Sequence, residues 1–214
     1  MDLSNQRREY SQPSIDPDLM DPCPIRQFDL WFREACESAA IVEPNAMVLS
    51  TVDEDQRPSS RSVLLKLFDD SGFVFFTNTG SRKARQISGN QNVALLFPWY
   101  GVQRQVEING VAERVSAGEA MRYFALRPRG SQLGAWVSMQ SSVVPTLSIL
   151  HNTIDAMKRK FSSGSIPMPP SWGGYRVKPH RIEFWQGGVH RLHDRIQYTF
   201  SMKDQTWHCT RLAP

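Results

Sequence analysis

Arg191, His193 and Arg195 stand at alternate positions of the run W-Q-G-G-V-H-R-L-H-D-R, residues 185–195. Alternate side chains of an extended strand share one face, so this spacing sets two guanidiniums and an imidazole side by side and turns Leu192 and Asp194 the other way. Such a face is costly to bury unless something anionic lies against it. Trp185 adds a flat aromatic surface, and Gly187 and Gly188 let backbone come close to a partner. Two readings are open: an edge strand with a solvated basic face, or a pocket for a phosphorylated, planar ligand.

Three further runs offer related chemistry. R-S-V-L-L-K sends Arg61 to one strand face and Lys66 to the other, a planar fork and a point charge that both suit phosphate. The alternative is a strand whose ends reach into water. T-N-T-G-S-R-K gathers Thr77, Ser81, Arg82 and Lys83 at the start of a short helix, where free amides and the helix dipole favour an anion; taken alone, the run reads first as a surface helix with an ordinary serine cap. Y-F-A-L-R-P-R-G-S places Tyr123 and Arg127 four residues apart at a helix end, with Ser131 just after the turn. These three could hold a second phosphate, or be a routine basic helix terminus. Gln140-Ser141-Ser142 forms a weaker polar group.

The 214 residues suit one domain, with residues 1–23 as a polar, proline-containing arm or lid and residues 24–214 as the folded unit. Net charge is +4 and the pI about 9.1, too small and too dispersed an excess to indicate nucleic acid. No stretch has the length of a membrane span, and the N-terminus lacks the apolar segment of a signal peptide. Cys23, Cys36 and Cys209 are odd in number and far apart, which disfavours a disulfide framework and a zinc site and fits a reducing cytoplasm. The five histidines show no metal-ligand spacing, so no metal is expected.

Ile25, Phe28, Trp31, Phe32, Ala35, Cys36 and Ala39 predict an amphipathic helix over 24–40. Strand patterns cover 46–52, 61–68, 73–78, 93–99, 103–115, 174–177, 181–185, 191–200 and 207–212, with a bulge expected at Asn109-Gly110. A capping box at Ser116 and Glu119 starts a helix to Leu126, and another helix runs over 146–161. Residues 127–143 read as irregular. Short antiparallel strands with a few helices indicate a β-barrel of the mixed class. Neither a G-x-G-x-x-G after a strand nor a Walker A motif is present, which disfavours a classical nucleotide fold.

Taken together, R-S-V-L-L-K, T-N-T-G-S-R-K, Y-F-A-L-R-P-R, W-V-S-M-Q-S-S, W-G-G-Y-R-V and W-Q-G-G-V-H-R-L-H-D-R resemble the pyridoxamine 5′-phosphate oxidase family over almost the whole chain. The resemblance implies an FMN-binding split β-barrel and a homodimer with FMN between subunits. It implies FMN contacts from Arg61, Lys66, Thr77, Arg82, Lys83, Gln105, Gln140, Ser141, Trp185 and Arg195. It assigns the substrate to Lys66, Tyr123, Arg127, Ser131, Arg191 and His193, with Tyr123, Arg127 and Ser131 on its phosphate and Arg191 and His193 at the reacting carbon. Arg7 and Tyr10 match arm residues that close over the substrate. Phe76, Glu43 and Met139 depart from the frequent Tyr, Asp and Lys, and none of these removes a phosphate anchor.

The implied reaction oxidises the C4′ amine of pyridoxamine 5′-phosphate, or the C4′ alcohol of pyridoxine 5′-phosphate, to pyridoxal 5′-phosphate. A hydride passes to the flavin, and O2 reoxidises it to give hydrogen peroxide. Two rivals are a phenazine-biosynthesis flavin oxidase, which should need less of the phosphate pocket, and a flavin- or pyridoxal-phosphate-binding carrier without turnover.

Overall fold

The computed structural model describes residues 1–6, 9–138, 140–141 and 146–214. Arg7, Met139 and Ser142 therefore lie outside the described residues. Helix α1 (Pro24–Glu37) has proline in its first turn and buries Ile25, Phe28, Trp31 and Ala35 along one stripe. It stops before Ala39, and Cys36 is exposed. Phe28 has no exposed surface and meets the edges of Phe68, Phe73 and Phe97 at centroid separations of 4.9–5.0 Å. The helix thus plugs the mouth of the sheet with aromatic rings.

The strands are β1 (Ala46–Val52), β2 (Pro58–Leu64), β3 (Leu67–Asp69), β4 (Gly72–Asn78), β5 (Asn92–Trp99), β6 (Arg104–Arg114), β7 (Trp172–Gln186), β8 (Asp194–Ser201) and β9 (Thr206–Leu212). Among the described residues they form one curled antiparallel sheet in the order β2-β1-β5-β6-β7-β4-β3, with β8 and β9 branching from β7. That branch is what splits the barrel. One edge of β7 follows β6 for most of its length. The other edge is shared, Trp172–Val177 with β4 and Arg181–Gln186 with β8. Burial alternates along β1 and β5, as one face on the core requires. Gly72, at φ 122°, makes the tight turn from β3 into β4 that residues with a Cβ resist.

Helices α2 (Arg82–Gly89), α3 (Ala117–Leu126), α4 (Arg129–Val137) and α5 (Leu147–Lys160) cover the sheet ends. Ser116 Oγ accepts the Glu119 N–H, half of the expected capping box. Among the described residues no helix is long and apolar enough to cross a membrane.

The structure corrects four sequence expectations. Within the stretch expected to be irregular, Arg129–Val137 is helix α4, its small buried face of Ala135 and Val137 hidden by two glycines. The strand expected over 61–68 breaks at Leu65-Lys66, whose N–H groups go to the Asn45 and Val74 carbonyls. The two strands expected over 174–185 are one, because Pro179 falls opposite Gly110 at the register shift and costs no ladder bond. Residues 191–193 are not strand. Val189–Arg191 is a 3-10 turn, His190 and Arg191 have φ of 54° and 66°, and β8 begins at Asp194. Strict alternation therefore does not align Arg191, His193 and Arg195.

Candidate active site

Three cations meet where β2 passes the start of α2. Arg61 donates through Nη1 to the Leu49 carbonyl at 3.2 Å and Thr51 Oγ1 at 2.6 Å, and through Nη2 to Gln86 Oε1 at 3.1 Å. Lys83, only 8% exposed, donates to Thr77 Oγ1 at 3.2 Å and Gln140 Oε1 at 2.9 Å. Arg82 donates from Nη2 to Ser59 Oγ at 3.1 Å, and its backbone N–H to Ser141 Oγ at 3.2 Å. Every acceptor is neutral. Among the described residues no carboxylate pairs with Arg61, Arg82 or Lys83. Burial, with the neighbouring cation adding to it, holds Arg61 and Lys83 below their ordinary ranges. The hydroxyl of Ser81, fully buried at the head of α2, has no hydrogen-bond partner among the described residues. An unneutralised cluster at a helix N-terminus is suited to an anion.

Beside it lies a cavity of about 610 Å³. Lys66, Thr77, Lys83, Tyr123, Arg127, Ser131 and Gln140 all line it. Arg127 does not continue the face of α3. It caps the helix in extended conformation, and its guanidinium lies 4.0 Å over the centroid of Trp172. Its Nη1 is buried without a hydrogen-bond partner among the described residues. Tyr123 stacks on Phe76, with centroids 4.1 Å apart and planes 10° apart. Burial raises the Tyr123 hydroxyl above the ordinary phenol range, with Arg127 opposing, so it stays a protonated donor. The cavity thus offers two places for negative charge, one at α2 and one between Tyr123, Arg127 and Ser131.

A second group assembles at the far end of β7. Gln105, Trp185 and Arg195 are register neighbours across β6, β7 and β8, a row on one face of the sheet. Arg195 grips Glu183 through two bonds of 2.8 and 3.0 Å and donates through Nη1 to the Ala213 carbonyl. His193 lies 4.8 Å from Trp185, and its Nδ1 accepts the Gly188 N–H at 3.2 Å. Tyr10 stands edge-on to both rings at 5.7 and 5.5 Å, with the Arg191 guanidinium 5.9 Å from its centroid. A side-chain carbon at Gly187 would fall 2.6 Å from the Tyr10 ring, so bare backbone is required there. A turn and an aromatic cluster, not strand alternation, gather Arg191 and His193 around Tyr10 beside Trp185.

Within one chain these two groups stay apart. Tyr10, Gln105, Trp185, Arg191, His193 and Arg195 do not line the cavity. Trp172 and Trp185 are thirteen residues apart on β7, a strand contour of about 40 Å. Some contributors carry no label in the sequence. Trp172, beneath Arg127, lies in a recognisable motif without a role of its own. Thr51 and Gln86 orient Arg61, and only Gln86's position four residues after Arg82 hints at this.

A split barrel with a neutral-walled cationic cluster, a second anion pocket and a separate aromatic row defines a protein that takes phosphorylated, planar ligands. Residues 33–161 match the family model described as pyridoxamine 5′-phosphate oxidase. Residues 172–214 match that of the pyridoxine 5′-phosphate oxidase C-terminal dimerisation region. A pyridoxine/pyridoxamine 5′-phosphate oxidase of Rippkaea orientalis is 51% identical over 214 residues, all of both chains, and one of Crocosphaera subtropica is 53% identical over the full length of both. Among solved structures, PhzG of Burkholderia lata in complex with tetrahydrophenazine-1-carboxylic acid superposes with a TM-score of 0.87 at 28% identity, covering 94% of this chain and 98% of that one. A pyridoxamine 5′-phosphate oxidase-related, FMN-binding protein of Nostoc punctiforme shares the fold, with a TM-score of 0.71 at 16% identity over 91% of this chain and all of that one. This chain belongs to the pyridoxamine 5′-phosphate oxidase family.

Proposed function

We propose that the protein oxidises pyridoxine 5′-phosphate and pyridoxamine 5′-phosphate at C4′ to pyridoxal 5′-phosphate, with FMN as its cofactor and O2 as acceptor, in a homodimer. The observation that carries this reading is that two groups of cations without a carboxylate partner among the described residues, Lys83 with Arg61 and Arg82 behind it and Arg127 beside Tyr123 and Ser131, meet at one cavity. Arg61, Arg82 and Lys83 fit the phosphate of a mononucleotide flavin, and the orphaned Ser81 hydroxyl supplies a further donor. Lys66, Thr77, Gln140 and Ser141 lie beside them. Tyr123, Arg127 and Ser131 fit the substrate phosphate, the orphaned Nη1 of Arg127 gaining the acceptor that it lacks.

FMN, when bound, would supply the redox chemistry, hydride acceptance from C4′ and reduction of O2 to hydrogen peroxide. The side chains bind, orient and exclude water. Trp185 offers a face for the flavin, with Gln105 and Arg195 beside it in the same row. Arg191 and His193 attend the reacting end of the pyridine ring, where a fixed guanidinium balances the phenolic oxygen as the hydride leaves. Tyr10 and Arg7 close the arm over the substrate. Because Trp185 and its neighbours lie a long strand contour from the cavity, the complete site draws the cavity from one subunit and the aromatic row from its partner.

The phenazine-type oxidase is the nearest rival. A carboxylated tricycle leaves Tyr123, Arg127 and Ser131 without a phosphate. Purified protein should be yellow, release FMN and not FAD on heating, and bleach anaerobically with pyridoxine 5′-phosphate. Admission of air should restore the colour with one peroxide per turnover. A colourless protein, released FAD, or a flavin that stays oxidised under this substrate would refute the reading.

A further inference from the structure

Asp194 lies between His193 and Arg195 but faces away from both, as strand alternation requires of the first residue of β8. Its side chain is only 8% exposed. It accepts from Ser14 Oγ at 3.1 Å and from the Ile15 N–H at 2.9 Å, and it pairs with Arg211 on β9. Arg211 then donates through Nη2 to the Ile15 carbonyl at 2.6 Å. One carboxylate and one guanidinium thus grip both polar groups of a single arm residue. Two amide side chains extend the grip: Gln186 Nε2 donates to the Pro13 carbonyl at 2.6 Å, and Gln103 Oε1 accepts the Ser11 N–H at 2.9 Å. The next residue is Tyr10, whose ring rests over Gly187 against Trp185 and His193.

We propose that Asp194 is a positioning residue: its clasp with Arg211 on Ile15 sets the arm so that Tyr10 covers the substrate at His193 and Trp185. The clasp rests on the structure alone, and the cover on the reading of the substrate given above. The Ile15 N–H and the Arg211 guanidinium can only donate, and they meet different oxygens of Asp194, so both of its terminal atoms must accept, as those of a carboxylate do. An amide of the same size has one acceptor oxygen and turns its own N–H groups toward donors. Asp194→Asn therefore loosens the arm without emptying space.

The test compares the wild-type and Asp194→Asn holoproteins in three measurements. Amide hydrogen exchange at Ser11 and Ile15, read without substrate, should accelerate by about tenfold or more, the scale of one lost charge-assisted bond. Flavin content should stay at the wild-type level, while KM for pyridoxine 5′-phosphate rises by about tenfold and kcat falls less. In a Tyr10→Ala background the same substitution should add little, because both act through one ring. Unchanged exchange, a KM penalty that adds in full to that of Tyr10→Ala, or flavin loss with KM unchanged would each overturn the proposal. If Asp194→Asn does not fold, Ile15→Pro removes the N–H that Asp194 accepts while leaving β8 untouched, and the same results apply with exchange read at Ser11 alone. A wild type that leaves pyridoxine 5′-phosphate unoxidised would overturn the substrate reading, and with it the covering role of Tyr10. The clasp would still be judged by exchange.

Discussion

Arg127 holds one guanidinium nitrogen buried near Trp172 with no hydrogen-bond partner among the described residues, so truncating it should cost ligand binding more than folding. Arg127→Ala should raise KM for pyridoxine 5′-phosphate by roughly ten- to a hundredfold, the equivalent of about 1.5–3 kcal/mol, with FMN affinity nearly unchanged. Steady-state kinetics and fluorescence titration of the apoprotein check both halves. Comparable losses of both ligands would move Arg127 to the flavin. Arg191→Met should keep FMN and slow anaerobic flavin reduction by about tenfold or more, read by stopped flow at saturating substrate. His193 is lowered below the ordinary imidazole range by burial, with Arg191 adding to this, and its Nδ1 is taken up by the Gly188 N–H. It should therefore be neutral with its proton on Nε2 across the neutral range, protonating only below the usual value of about 6.5. Imidazole nitrogen shifts measured against pH check this; a protonated ring at pH 7 would refute it. The cations themselves were legible in the sequence, because phosphate chemistry demands few residue types. Their neutral holders, Thr51 and Gln86, were not, since nothing in a lone buried glutamine marks what it orients.

At the scale of elements, α1 carries its packing in its sequence. Ile25, Phe28, Trp31 and Ala35 repeat at helical spacing, and all four are buried. Phe28→Ala should destabilise the protein by about 3–5 kcal/mol, because five neighbouring rings cannot collapse into the space. Urea unfolding checks it, and a loss under 1 kcal/mol would show that the ring cluster relaxes. The barrel class, the Asn109-Gly110 bulge and the Ser116 cap were readable because strand alternation and capping are local rules. Helix α4 and the turn at 189–191 were not: α4 buries too little to show a period, and the turn needs left-handed φ at His190 and Arg191, which neither residue signals. The arm adds a pH term. Burial alone would raise Asp194, but the Ile15 N–H, Arg211 and Ser14 outweigh it and hold its carboxyl below the usual carboxylate range. A depressed carboxylate contributes its full stabilisation above about pH 4 and loses it as pH falls through the folded value. Arm protection in hydrogen exchange should thus be flat through neutrality and fail only in acid. A loss near pH 6 would point to a histidine instead.

At the scale of the molecule, β7 sets the terms. Its first half pairs with β4 beside the cavity, and its second half pairs with β8 beside Trp185. The stretch that contains it matches a dimerisation region. Sedimentation should find a dimer that keeps its FMN on dilution, and an active FMN-loaded monomer would refute the shared site. A division of labour along one strand also has a genetic consequence. Arg127→Ala damages the cavity and Arg191→Met the aromatic group, so each variant alone spoils both sites of its dimer. Refolded together, the two variants form mixed dimers in which one site inherits both lesions and the other inherits neither. Random assembly makes half of the dimers mixed, so the mixture should recover about a quarter of the wild-type kcat/KM, read at substrate well below KM, from two parents that each lack it. Two alleles, each defective when alone, would then complement each other in one cell.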